Sequence, residues 1–243
     1  MGNSGSGKSY CLYDTVVREA IENPDKNYLV IVPEQFTMQT QKDLCLAHPK
    51  GGIMNIDVLS FGRLAYRVFE EVGQDARVVL DDEGKNLVLR KIAGECEKDL
   101  KVFKGNLKKQ GYISEVKSVL SEFAQYGVDF ERLDDFMKEV PPESYLHYKL
   151  DDIRTIYEKF EEYLSEKYIT KEEMLDVLSD AVPYSDILKG SVVAMDGFTG
   201  FTPVQNRLIG ELFSVCEKVM ITVTMDGREN PYVYEHPYQI FAL

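Results

Sequence analysis

The chain has 243 residues, of which 44% are hydrophobic and 28% charged. That composition excludes collagen-like, low-complexity and broadly disordered classes, and the length fits one large domain or one domain carrying an insertion. Lys and Arg number 28 against 41 Asp and Glu, a net charge of −13, which excludes a general polyanion binder: any DNA contact has to be local or supplied by a partner.

In chain order, residues 8–22 carry a helical pattern stopped by Asn23-Pro24-Asp25. Tyr28–Val32 is a β-branched apolar run that reads as a buried parallel strand. Pro33-Glu34 opens a second helix to about Leu46, His48–Gly52 is a loop, Ile53–Leu59 a second strand, and Phe61–Val72 a third helix. Such alternation predicts βαβ units. From Asp81 to Asp180 no strand is predicted. Helical spacing runs over Asp81–Leu100 and Ser114–Tyr126, with Gly127 as C-cap, and the lysines Lys98 to Lys117 read as a solvated face. Pro141-Pro142 breaks the chain before a long helix over Glu143–Lys167, whose seam is Leu146, Leu150, Ile153, Tyr157, Phe160 and Leu164. Residues 81–180 therefore read as an all-helical insertion. The α/β pattern resumes with a strand ending in Asp196, a helix over Pro203–Cys216 and a strand over Val219–Val223; residues 230–237 are loop-like. The expected organisation is an α/β domain in two parts, 1–80 and 181–243, around the helical subdomain 81–180.

No apolar run approaches the roughly 18 residues needed to span a bilayer, and the N-terminus lacks the apolar core of a signal peptide, so no membrane association and a cytoplasmic location are expected. Cys11, Cys45, Cys96 and Cys216 lie far apart, as do His48, His147 and His236; reduced thiols are expected, and no zinc site.

Gly2-Asn3-Ser4-Gly5-Ser6-Gly7-Lys8-Ser9 fits the phosphate-loop pattern GxxxxGK[ST]. Glycines let the backbone wrap a phosphate, successive N–H groups point inward, and the following helix adds its positive end. Lys8 would set an ammonium on the β and γ phosphates of ATP, and the Ser9 hydroxyl would ligate Mg2+. The bland alternative is a flexible Gly/Ser linker. A phosphate loop joins a strand to a helix, and only Met1 precedes Gly2. A slot between neighbouring strands is therefore expected where that strand belongs, and the sequence reads as a fragment of a longer chain. Far downstream, Asp196 closes an apolar strand, where a carboxylate holding Mg2+ through water opposite Ser9 belongs. The bland alternative is an acid that merely precedes a Gly turn.

The order of phosphate loop, Val32-Pro33-Glu34-Gln35, Leu59-Ser60-Phe61-Gly62-Arg63-Leu64, helical insertion and Asp196-Gly197-Phe198-Thr199-Gly200-Phe201-Thr202-Pro203-Val204-Gln205 resembles the N-terminal helicase-like region of the AddB (RexB) family, over essentially the whole chain. The resemblance implies a RecA-like, superfamily-1 helicase core interrupted by a helical subdomain. It also implies work on double-strand DNA ends with an AddA-type subunit, in an ATP-dependent helicase/exodeoxyribonuclease that responds to the recombination hotspot Chi. The family's nuclease and iron–sulfur cluster belong to a C-terminal region with no counterpart here. Active superfamily-1 helicases have Asp-Glu-x-Gln where this chain has Asp196-Gly197-Phe198-Thr199. Gly197 thus replaces the Glu that orients water, a loss that costs about 10²–10⁴ in rate. Thr199 replaces a coupling Gln, and no Gln-containing sensor is apparent near Thr224–Gly227. The expectation is a module that binds ATP·Mg and hydrolyses it weakly or not at all, with no catalytic residue of its own. By the same resemblance Gln35, Thr37, Ser60, Phe61 and Arg63 are DNA candidates, with Phe61 as a stacking face and Arg63 as a phosphate contact. Their bland alternative is a helix cap, a core aromatic and surface polarity. The rival functions are a catalytically active P-loop ATPase, helicase or small-substrate kinase, and a structural scaffold with a relic phosphate loop.

Overall fold

A computed structural model describes residues 2–73, 77–106, 109–165 and 167–224. The chain divides into two compact units, Met1–Gln74 with Leu175–Leu243, and Asp75–Met174. Both junctions fall six residues before the expected ones.

The first unit is an α/β layer structure with a parallel sheet. Helix α1 (Lys8–Glu22) buries Leu12, Val16, Val17 and Ala20. Strand β1 (Tyr28–Ile31) is buried at all four positions, as a strand covered on both faces must be. A 3₁₀ turn over Glu34–Phe36 leads into α2 (Thr37–Ala47), so the second expected helix opens with a tighter turn. Strand β2 (Ile56–Leu59) is shorter than its apolar pattern, and α3 (Phe61–Val72) has the expected bounds, closed by Gly73 in the left-handed region. After the second unit, β5 (Val192–Met195), α9 (Pro203–Val215) and β6 (Lys218–Ile221) complete the fold.

The strand order is β2-β1-β5-β6, parallel throughout, with Val30 level with Val58 and Ala194, and Ala194 level with Met220. Tyr28, Val30 and Val32 pack with the apolar stripe of α1 and with Leu44 of α2. The Asn55 side-chain amide lies 3.0–3.2 Å from the carbonyls of Ala20, Asn23 and Lys26, tying the end of α1 to the start of β2. The expected slot is not there. The four strands are continuously paired, and the glycine loop enters beside β6, where Gly2 bridges Thr224 in parallel and its N–H donates to the Val223 carbonyl at 3.2 Å.

The second unit is mostly helical. The expectation of no strand from Asp81 to Asp180 is overturned by β4 (Tyr168–Thr170), which pairs in parallel with β3 (Val78–Leu80). Strands of three residues show too little alternation to be read from sequence. Around them stand α4 (Asp82–Glu95), α5 (Gln110–Tyr126), α6 (Phe130–Glu139), α7 (Tyr145–Leu164) and the start of α8 (Lys171–Ala181). Asp81, Asp129 and Ser144 cap α4, α6 and α7 through their side chains, and Gly127 ends α5 with φ 64°. The α7 seam differs from the expected one: Leu146 is 52% exposed, whereas Ile156, off that seam, is buried with Ile153, Phe160 and Leu164. Leu146 and Leu164 stand five whole turns apart, at the same angle on the helix, so the exposure of Leu146 reflects its place in the first turn of α7 and not its angle. Asp152 is buried and accepts from the backbone N–H groups of Lys101, Val102 and Phe103 at 2.7–2.8 Å, so one carboxylate fixes the connection after α4. Lys101 and Lys117 pair with Asp151 and Asp82.

At the end of β4, Thr170 and Glu173 form the reciprocal cap of α8: the Thr170 N–H donates to Glu173 Oε2 at 2.8 Å and the Glu173 N–H donates to Thr170 Oγ1 at 3.2 Å. Burial pushes the Glu161 carboxyl up to about 7, and the charge and hydrogen bond of Glu173 add to the effect. A carboxyl raised in the folded state contributes stability that is full below its ordinary value and is lost as pH rises through the folded one. The window here runs from about 4.5 to about 7. Glu161→Gln is therefore expected to slow hydrogen exchange in α7 at pH 8 and to leave it unchanged at pH 4.5, once intrinsic rates are corrected; equal exchange at pH 8 would contradict the assignment.

Candidate functional site

Between Gly2 and Lys8 the backbone makes a tight turn. The Ser6 N–H donates to the Asn3 carbonyl at 3.2 Å, and Gly5 and Gly7 stand at φ 76° and 83°, where an L side chain is strained. A Cβ at either glycine would meet nothing within 4 Å, so the left-handed backbone rather than crowding explains the residue type. Gly7 is the N-cap of α1 and offers its first N–H groups no side-chain acceptor. Lys8 folds back over the loop, its Nζ donating to the Asn3 carbonyl at 2.6 Å. Ser9 is exposed on the first turn of α1.

Asp196 follows β5 and is 6% exposed. Its N–H donates to the Ile31 carbonyl at 3.1 Å. Its Oδ2 accepts from the Tyr13 hydroxyl at 2.7 Å, and its Oδ1 accepts from the Thr222 hydroxyl. Tyr13 lies four residues past Ser9, one turn or about 6 Å along α1. The carboxylate of β5 thus bonds the helix that the glycine loop opens. The Tyr13 oxygen also lies 3.3 Å from Thr40 Oγ1 on α2. Burial raises the Tyr13 phenol well above its ordinary value, and the charge and hydrogen bond of Asp196 raise it further against the lowering effect of Thr40, so it remains a donor.

After Asp196 the chain turns at Gly197, φ 78°. A Cβ there would sit 3.5 Å from Pro33 Cδ and from Phe36 Cδ2. Phe198 packs on Phe61 and Phe201, with ring centroids 5.3 and 5.0 Å apart. Thr202 and Gln205 form a reciprocal cap on α9, with Pro203 in its first turn. The segment is therefore built of an acid, a glycine turn, an aromatic cluster and a helix cap; Thr199 is exposed.

The remaining sequence candidates separate. Ser60 is buried and caps α3, accepting from the Arg63 N–H at 3.4 Å. Phe61 is 7% exposed and gives its ring to Phe198, so no face stands open for a base. Thr37 is buried, its hydroxyl donating to the Glu34 carbonyl at 2.9 Å. Gln35 and Arg63 are exposed. The sensor region from Met225 onward lies outside the described residues. Tyr13, Thr222 and Thr40 went unread. Helical spacing places Tyr13 one turn past Ser9, but the pairing of Met195 with Ile221, which sets Asp196 beside Thr222, exists only in the folded sheet. Among the described residues no three His, Cys, Asp or Glu side chains converge as a metal site, and no helix is long and apolar enough to cross a membrane.

A family model described as "ADDB, N-terminal" matches residues 1–243. Over its whole length the chain is 47% identical to the B subunit of the ATP-dependent helicase/deoxyribonuclease of Lachnoclostridium phytofermentans, covering 21% of that protein. It is 36% identical to the proteins of the same description from Alkaliphilus metalliredigens and Clostridium tetani, over 93% of this chain and 20% of each of them. The chain spans about a fifth of the length of these curated relatives.

At Gly197, substitution is governed by backbone conformation, since the space around it is ordinary van der Waals contact. Gly197→Ala is expected to lower stability by about 1–2 kcal/mol, the cost of a side chain in the left-handed region. Urea midpoints of the two proteins measure it; equal midpoints would show that the turn relaxes.

Proposed function

The chain belongs to the AddB N-terminal family, and on that premise we propose that it is the nucleotide-binding, helicase-like module of an AddB-type protein. In this reading it works with an AddA-type subunit in unwinding and resecting double-strand DNA ends for recombinational repair, including the response to Chi. The module has a RecA-like plan: a parallel sheet, a glycine loop opening the helix beside β6, and an acid at the end of β5. Nuclease and iron–sulfur cluster belong to other parts of such a protein.

The residues present suit ATP·Mg. Gly5 and Gly7 hold the loop in a left-handed turn, and the open N-terminus of α1, which no side chain caps, favours an anion. Lys8 would leave the Asn3 carbonyl for the β and γ phosphates, and Ser9 with Asp196 would hold the metal, the aspartate through water. Bound Mg2+ would neutralise phosphate charge. The observation that carries the reading is the hydrogen bond from Tyr13 on α1 to the Asp196 carboxylate, which joins the two motifs in one neighbourhood.

Hydrolysis is expected to be weak or absent. The position following Asp196 is a left-handed glycine against Pro33 and Phe36, so the local backbone does not suit the Glu that orients water in active helicases. The module then serves as a nucleotide-responsive element on the DNA track, for which Gln35 and Arg63 offer exposed polar contacts. The rival, an active ATPase, requires a base that the Asp196–Thr199 segment does not supply.

In the full-length AddB-type protein, ATP·Mg is expected to raise Tm, by the equivalent of about 2.7 kcal/mol at a hundredfold excess over Kd, and Lys8→Ala to abolish the shift. In a complex whose AddA-type partner is catalytically silenced, DNA-stimulated turnover is expected to be equally low for wild type and Lys8→Ala. Absence of any shift in the wild type sinks nucleotide binding; strong turnover lost in Lys8→Ala sinks the inactive half.

A further inference from the structure

We infer that Tyr13 and Thr222 are positioning residues for the metal carboxylate: their hydroxyls take one oxygen each of Asp196 and fix its orientation toward the nucleotide's metal. The inference rests on the reading of Asp196 as a metal-holding group and adds residues that neither the phosphate-loop pattern nor the acidic motif contains.

The geometry supports a fixed rather than a swinging carboxylate. Asp196 is nearly buried, and its two oxygens are bonded from different elements, Oδ2 by Tyr13 on α1 and Oδ1 by Thr222 just past β6. A carboxylate has about four acceptor sites, so one donor on each oxygen leaves one further acceptor site per oxygen for metal-bound water. The Tyr13 hydroxyl has a single proton, and it is directed at Asp196. The contact with Thr40 must therefore run the other way, with Thr40 donating to the Tyr13 oxygen. Thr40 is itself buried on α2. The result is an ordered relay, Thr40 to Tyr13 to Asp196, closed from the other side by Thr222. Two donors on one buried carboxylate also offset its desolvation, which would otherwise favour rotation toward solvent. Outer-shell hydrogen bonds of this kind set ligand orientation, and their loss typically costs about 10–100-fold in metal affinity.

The test uses the full-length AddB-type protein, a fluorescent ATP analogue and titrated Mg2+. Tyr13→Phe keeps the ring and removes the donor. It is expected to leave metal-free nucleotide affinity unchanged and to raise the Mg2+ concentration at half-saturation by about tenfold or more. Thr222→Val should do the same, while Thr222→Ser, which restores a hydroxyl, should return the value to that of the wild type. A purely structural role would instead shift Tm and both affinities together. If Lys8→Ala abolishes nucleotide binding but Tyr13→Phe and Thr222→Val leave the Mg2+ dependence unchanged, the positioning role falls and the nucleotide site stands. A lower half-saturation in Tyr13→Phe overturns it as well, since the hydroxyl would then mask the carboxylate. If Lys8→Ala has no effect on binding, the nucleotide reading fails, and the positioning role with it.

Discussion

A carboxylate buried at the end of a central parallel strand has to be given hydrogen-bond donors, because desolvation without them costs more than a small domain can absorb. Asp196 meets that demand with two hydroxyls from different parts of the fold. One comes from the helix opened by the glycine loop and the other from the chain leaving β6. Satisfying one charge therefore fixes the distance between α1, β5 and β6. Parallel pairing supplies the rest of the constraint: Met195 lies level with Ile31 and with Ile221, so the residues leaving the three strands emerge at one height. The loop itself meets the chain leaving β6, where the Gly2 N–H donates to the Val223 carbonyl. In such sheets, ligand crevices form outside the carboxyl ends of the strands, and Asp196 stands at that edge.

The turn after Asp196 shows how backbone conformation limits chemistry. Most side chains at the next position would favour an extended or helical backbone. Gly197 adopts φ 78° instead, and Phe198 and Phe201 then turn into an aromatic cluster with Phe61. The glycine, the aromatic cluster and the Thr202–Gln205 cap form one local solution for returning the chain from β5 into α9, and a side chain at position 197 would strain it.

Much of this was legible in the sequence, for identifiable reasons. Strong punctuation bounded α1, α3 and α9: Gly7 and Asn23, Ser60 and Gly73, Thr202 with Pro203. The β-branched runs at Tyr28 and Val192 marked strands buried on both faces. What escaped was short or non-local. Strands β3 and β4 have three residues each, and α6 has ten. The Asp152 carboxylate that gathers three backbone N–H groups sits on a helix about fifty positions downstream of them. At the site, the glycine loop and the acid could be read as motifs, whereas Tyr13 and Thr222 could not, because neither residue type marks a function until the fold places it against Asp196. Phe61 and Thr37 show the converse. The family likeness made both DNA candidates beside a bland reading of core aromatic and polar surface; packing takes the ring of Phe61, as that bland reading has it, and a local backbone bond takes the hydroxyl of Thr37.

The charge balance bears on where DNA is held. With a formal charge of −13, the chain also spends many of its cations internally. Lys26 and Lys218 pair with Glu217 and Glu19, Arg67 with Asp57, and Arg207 with Asp176 and Asp180 in the first unit; Lys85 pairs with Glu172, and Arg154 with Asp134 and Glu158, in the second. Apart from the buried Lys85–Glu172 pair, these pairs are open to solvent and add little stability, but all of them lower the positive potential that a phosphate backbone would meet. Strong, salt-dependent binding needs several Lys or Arg side chains neutralising successive phosphates. The two exposed polar candidates, Gln35 and Arg63, are too few to supply it. On the function proposed above, a chain that spans about a fifth of its relatives leaves the electrostatic grip on DNA to other parts of such a protein.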